Sequence, residues 1–254
     1  ERRRTGRQQR RLRSWAASLP ASFRRVGILD NPRSRRLTDL DTELTIRDTP
    51  LGMRCNRRPR AMAPTRLPPT PRGFVSEGLI RVGPLMATPA VLESFGVDPA
   101  PLLAEFGIRP DFFADPENVL PFATMGRIFC RCVERSGCSH FGLLVGRRAG
   151  VSALGAVGFL MQSAPDVRTA LDELVHYLHL HDRGALVSVE TGGPYASLGY
   201  TILQHGVPCS EQILAGAITI GLNIMRGLCG ADWKPEETHF AFRGPEDVAP
   251  YREF

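Results

Sequence analysis

From Leu85 onward, apolar residues recur at helical spacing through a series of short segments; after residue 184 the pattern becomes that of strands. Pro89–Phe95 and Pro99–Phe106 predict two short helices, each stopped by a glycine, Gly96 and Gly107, at the position that favours left-handed backbone. Asp111–Phe122 predicts loop and turn. Phe122, Met125, Ile128, Phe129 and Val133 share one face of a helix running to Glu134. Phe141–Val145 and Leu154–Met161 predict two further short apolar helices, with Gly155 and Gly158 allowing close backbone packing. Ser163-Ala164-Pro165-Asp166 has the spacing of a capping box, and the helix it opens, residues 166–181, puts Val167, Leu171, Leu174 and Leu178 on one face.

Ala185–Glu190 and Tyr195–Leu203 are rich in strand formers and are joined by Thr191–Pro194, a Gly-Gly turn that predicts an antiparallel hairpin. Ile213–Leu228 is apolar almost all round, which predicts a buried helix lying on that sheet. His239–Phe242 predicts another strand and Pro245–Asp247 a turn, with no helix expected after it. The sum is an α+β fold, a helical first half packed on a small antiparallel or mixed sheet. Residues 85–254 form the expected domain, incomplete at its C-terminus because the chain stops within a segment that reads as unfinished. The longest apolar runs, Val151–Met161 and Ile213–Leu222, fall short of the roughly 20 residues of a membrane span.

Charge changes the picture for the first 84 residues. Residues 1–72 hold 19 Arg against 6 acidic residues, whereas residues 73–254 hold 12 Arg and one Lys against 20. The basic balance of +6 therefore belongs to the tail and the body is mildly acidic. Prolines and the absence of any sustained apolar period predict a disordered Arg/Pro-rich extension over 1–84. Without interleaved aromatics for base stacking, a solvated or non-native extension fits better than a nucleic-acid arm. Its prolines also argue against a transit peptide, and the twin-arginine-like Arg10–Trp15 lacks a following apolar stretch. Six cysteines in 254 residues are too sparse for a secreted disulfide scaffold, so a cytoplasmic location is the default.

Few constellations promise chemistry. Cys130, Cys132, Cys138 and His140 look like metal ligands, but Cys130 and Cys132 point about 200° apart on a helix, so packed, inert thiols are expected and no metal or cofactor. Asp172, His176 and His179 lie on the polar side of the 166–181 helix, with His181 just beyond. That set suits a solvated face, a cavity lining or, more rarely, a metal site. Should a cavity exist, it is expected between the 166–181 helix and the hairpin, with His176, Tyr177 and Tyr200 as polar ligand anchors. Gly150, Gly155 and Gly158 lack the other residues of a phosphate loop, and no catalytic signature appears, so the chain reads as a non-enzyme.

Five segments in order, Asp98–Ile108, Gly137–Gly146, Leu154–Leu171, Trp233–Phe242 and Gly244–Phe254, resemble the N-terminal arabinose-binding-type effector and dimerisation domain of AraC-type bacterial transcriptional regulators. The resemblance spans about Leu85 to Phe254; it departs at Phe242, where the family usually has histidine. It implies a cytoplasmic homodimer that binds a small-molecule effector. DNA reading would belong to a C-terminal helix-turn-helix domain, expected beyond Phe254 and so missing from a truncated regulator. The rival readings are a metal- or haem-sensing module or small enzyme built on the Cys/His positions, and a non-functional gene fragment.

Overall fold

The computed structural model describes residues 25–27, 43–47, 78–192, 195–244 and 247–253. Its strands are β1 (Arg25–Gly27), β2 (Glu43–Arg47), β3 (Leu79–Arg81), β4 (Val119–Pro121), β5 (Ala185–Gly192), β6 (Tyr195–Ile202) and β7 (Glu237–Arg243). Its helices are α1 (Thr88–Ser94), α2 (Pro99–Ala104), α3 (Phe122–Ser136), α4 (Phe141–Arg147), α5 (Ala156–Ser163), α6 (Val167–Tyr177), α7 (Ser210–Cys229) and α8 (Ala249–Arg252). The sheet order β2-β7-β1-β6-β5 is mixed. β5 and β6 form an antiparallel hairpin in which Val187 faces Tyr200, β1 runs parallel to β6 and β7, and β2 closes the far edge antiparallel to β7. This is the expected α+β architecture, with helices over a small mixed sheet and a second sheet formed by β3 and β4.

Local chemistry accounts for much of the element order. Gly96 and Gly107, which follow α1 and α2, take φ of +72° and +69°. The Asp98 carboxylate caps α2 by accepting from Ala100 N at 2.9 Å. α6 is capped differently from the pattern in the sequence: Asp166, not Ser163, is its N-cap and accepts from Thr169 N at 2.8 Å. Ser163 instead ends α5, and Ala164 is extended, the conformation a residue before proline favours.

Five further segments depart from expectation. Leu79–Arg81, placed by sequence in the extension, pairs with Val119–Pro121, a stretch expected as loop. Ile80 and Val82 are buried, so the packed body begins at Gly78. Arg25–Gly27 and Glu43–Arg47 of the extension pair with the main sheet; the rest of residues 1–77 lies outside the described residues. Ala249–Arg252 adds a final helical turn that buries Tyr251 edge-on to Phe240, with ring centroids 5.4 Å apart.

α7 organises the interior. One apolar cluster gathers α5, α6 and most of α7; another gathers α1 to α4 with Ile213 at the start of α7. By length and composition this 20-residue helix is apolar enough to cross a membrane, but its apolar residues form the core between the clusters. Its tightest partner is α4. A Cβ on Gly142 would run into the Gln212 carbonyl oxygen, and one on Gly146 would sit 2.5 Å from that of Gly216, so only glycine lets the two backbones meet.

The same helix supplies both ends of α4 with caps. The buried Gln212 side chain accepts from Gly142 N at 2.9 Å and donates to Ser139 O at 2.8 Å. Asn223 Nδ2 donates to Ala149 O at 2.7 Å and to Arg147 O at 3.1 Å. His140, the residue preceding α4, makes no side-chain cap of its own, so α7 satisfies groups that a free helix would leave to water.

Candidate functional site

Where α4 and α7 face the β5–β6 hairpin, they leave a cavity of about 100 Å³. The end of α6 closes a third side through Leu174 and Leu178. Its wall is almost wholly apolar, with Phe129, Val145, Val187, Leu198, Ile218 and Ile224 among the lining residues. Polar side chains enter at one end only: His181, Asp182 and Tyr200. Among the described residues no lysine or arginine lines it.

That polar end is built by a chain reversal. α6 tightens into a 3-10 turn over Leu178–Leu180, and the next three residues are then tied to β3. Arg81 N donates to His181 O at 3.0 Å, Arg183 N donates to Leu79 O at 2.9 Å, and Ile80 bridges Asp182. The Arg81 side chain adds a bond from Nε to Leu180 O at 3.1 Å and an ion pair with Glu117.

Asp182, 2% exposed, is fully engaged. One carboxylate oxygen accepts from Gly184 N at 2.7 Å and Ala185 N at 3.1 Å, starting β5, and the other accepts from the Tyr200 hydroxyl at 2.7 Å. Burial raises the Asp182 pKa, while the Tyr200 and backbone hydrogen bonds pull it down. Burial, with the Asp182 charge behind it, holds Tyr200 well above the ordinary phenol value, so its hydroxyl remains a donor.

His181 is different. It is 5% exposed, and neither ring nitrogen has a hydrogen-bond partner. Burial, helped by the nearby Arg81 charge, pushes its pKa down to about 4. At neutral pH the ring is therefore neutral and offers one N–H and one lone pair. Buried polar groups are nearly always paired; among the described residues the other buried side-chain atoms left unpaired are limited to Thr88 Oγ1, which does not line the cavity.

Of the anchors expected from sequence, Tyr200 lines the cavity. His176 does not: it stands two residues, about 200°, from the inward-facing Leu174 and is exposed. Tyr177 packs half-buried on the apolar cluster, edge-on to the His176 ring at 4.9 Å, and is not a lining residue. His181, noted from sequence only as lying just beyond the His176 and His179 set, and Asp182 line the cavity too, and neither was among the expected anchors. Their signal was a polar His-Asp pair between a helix end and Gly184 at the start of a strand.

The cysteines do not converge on a metal. Cys130 of α3 forms a disulfide with Cys209, just before α7, contrary to the expectation of free thiols. Helical phase explains the rest: Cys132, two residues on, faces the core, where burial pushes its thiol up to about 12. Among the described residues no group of three or more His, Cys, Asp or Glu is placed to hold a metal ion. A second, wetter cleft of about 300 Å³ between α7, β7 and α8 is rimmed by charges of both signs, including Arg226, Lys234 and Glu236. It has no orphaned buried group.

Residues 96–254 match the family model described as the arabinose-binding domain of AraC transcription regulator, N-terminal. The chain is also similar to the HTH-type transcriptional regulator VirS of Mycobacterium tuberculosis, in strain CDC 1551 / Oshkosh and in strain H37Rv. In each case it is 24% identical over 177 residues, covering 69% of this chain and 52% of VirS. The chain thus spans about half the length of the curated relatives it matches.

Proposed function

Because the chain belongs to the family of arabinose-binding domains of AraC transcription regulators, a regulatory rather than an enzyme family, we propose that it is a sensor which encloses a small-molecule effector in the α4–α7–hairpin cavity. The observation that carries this reading is His181, a buried donor and acceptor left without partners beside an apolar cavity. Tyr200 is the second anchor, and Asp182 orients it through the 2.7 Å hydrogen bond. His176 and Tyr177 stand outside this proposal.

The sensor works as a homodimer in the cytoplasm of a bacterium, and DNA is read by another segment of a longer polypeptide, as the name of VirS suggests. The exposed Phe159 and Leu160 of α5, with Val175 of the adjoining α6, offer an apolar face for self-association. The 254-residue chain should then show no salt-insensitive preference for one promoter in a gel shift; such a preference would refute this division of labour.

The effector reading is tested by filling the cavity. Ala217 lines it, and Ala217→Trp should occupy it. Fractions of a bacterial metabolite extract should include at least one that raises the melting temperature of the wild type and leaves the variant unmoved. If no fraction does so, or if each acts equally on both proteins, the cavity is not an effector site.

A further inference from the structure

The make-up of the cavity also selects what it takes, granted that it is the effector site. We propose that the occupant is an uncharged, largely hydrocarbon molecule carrying a single hydroxyl group, an alcohol or a phenol, rather than a sugar or a carboxylic acid.

Three observations lead there. The first is charge: among the described residues no lysine or arginine lines the cavity, and the one ionisable acid there, Asp182, is already fully hydrogen-bonded. A ligand carboxylate would be buried without a counter-ion and beside a like charge. The second is hydrogen-bond supply. A monosaccharide has a hydroxyl on nearly every carbon, whereas the wall is almost wholly apolar and its polar side chains are confined to one end. Most sugar hydroxyls would lose water and find no partner.

The third observation decides the head group. Neutral His181 has one N–H and one lone pair, both unpaired, while the Tyr200 hydroxyl gives its proton to Asp182 and keeps its own oxygen free to accept. A hydroxyl both donates and accepts, so it can accept from His181 N–H while donating to the Tyr200 oxygen, or donate to the His181 lone pair. A ketone or ether only accepts and could answer His181 N–H alone. A cavity of about 100 Å³ limits the body to at most about one hydrocarbon ring, since benzene already occupies an apolar cavity of about 150 Å³.

Four probes separate the possibilities by calorimetric titration of the full chain: toluene, p-cresol, p-toluate and L-arabinose. Toluene should bind weakly, p-cresol about tenfold more tightly, and the other two not measurably. His181→Phe should bring p-cresol down to the affinity of toluene while toluene itself still binds, which also shows that the variant is folded. His181→Leu, smaller and equally unable to hydrogen-bond, should do the same.

Equal binding of toluene and p-cresol would overturn the head-group inference and leave the effector site standing. Tighter binding of p-toluate or arabinose would overturn the ligand class while keeping the site. Failure of all four to bind would overturn this inference, because a hydrocarbon body is its premise. The site itself would then be judged by the Ala217→Trp comparison with whole extracts.

Discussion

His181 makes a quantitative claim about stability. Its ring is held neutral in the fold, with a pKa of about 4 against an ordinary 6.5. Above pH 6.5 the ring is neutral in both folded and unfolded chains and adds no pH dependence. Between pH 6.5 and about 4 the unfolded chain takes up a proton that the native state refuses, so stability falls as pH falls. The full difference amounts to about 3 kcal/mol, most of it reached by pH 4.5. Asp182 works the other way, since burial raises its pKa and so favours protonation in the native state.

Replacing His181 by Phe removes the titrating ring and both orphaned nitrogens, leaving Asp182 and Arg81 in place. At pH 7.5 the variant should match the wild type or exceed it by about 1–3 kcal/mol, the cost of a buried unpaired polar group. At pH 4.5 its advantage should grow by a further 2–3 kcal/mol or so. Urea unfolding of both proteins at the two pH values measures this directly. A pH-independent difference would refute the buried, neutral histidine, and a loss of more than about 1 kcal/mol at pH 7.5 would refute its lack of partners in the empty site.

The α4–α7 junction supplies two more tests. Gln212→Leu keeps the volume but strands Gly142 N–H and Ser139 C=O in the interior, so urea unfolding should show a loss of about 2–4 kcal/mol; a loss below about 1 kcal/mol would mean that water or a shifted helix replaces both bonds. Gly142→Val drives its Cβ into the Gln212 carbonyl and should cost about 1–3 kcal/mol or more, read as a melting point several degrees lower; an unchanged melting point would show that α4 can move away.

Much of the fold was legible because it is local. The face shared by Val167, Leu171, Leu174 and Leu178, the Gly-Gly hairpin and the apolar run of α7 all follow from periodicity and turn chemistry. The site was less legible because it is made from a distance. Sequence periodicity ran one helix from 166 to 181 and placed His176 among the anchors. The chain instead reverses after Leu178, and the segment that ties it down, Leu79–Arg81, lies about a hundred residues earlier in a stretch that composition assigned to the tail. The Cys130–Cys209 disulfide spans 79 residues, and the Gln212 and Asn223 caps reach back over 70, so no local pattern announces any of them.

The two caps that α7 places on α4 have a mechanical consequence. Opening the cavity on that side would break buried hydrogen bonds at both ends of α4 at once and pull apart backbones that lie in direct contact. The helix pair is thus the fixed jaw of a vice. The opposite jaw is the hairpin, joined to the polar end through the hydrogen bonds that Tyr200 and Ala185 N donate to Asp182. An arriving molecule would therefore displace β5 and β6 and leave α4 where it is. Amide exchange on binding should slow or quicken in the hairpin with little change in α4, and the reverse pattern would show that the jaws had been misassigned.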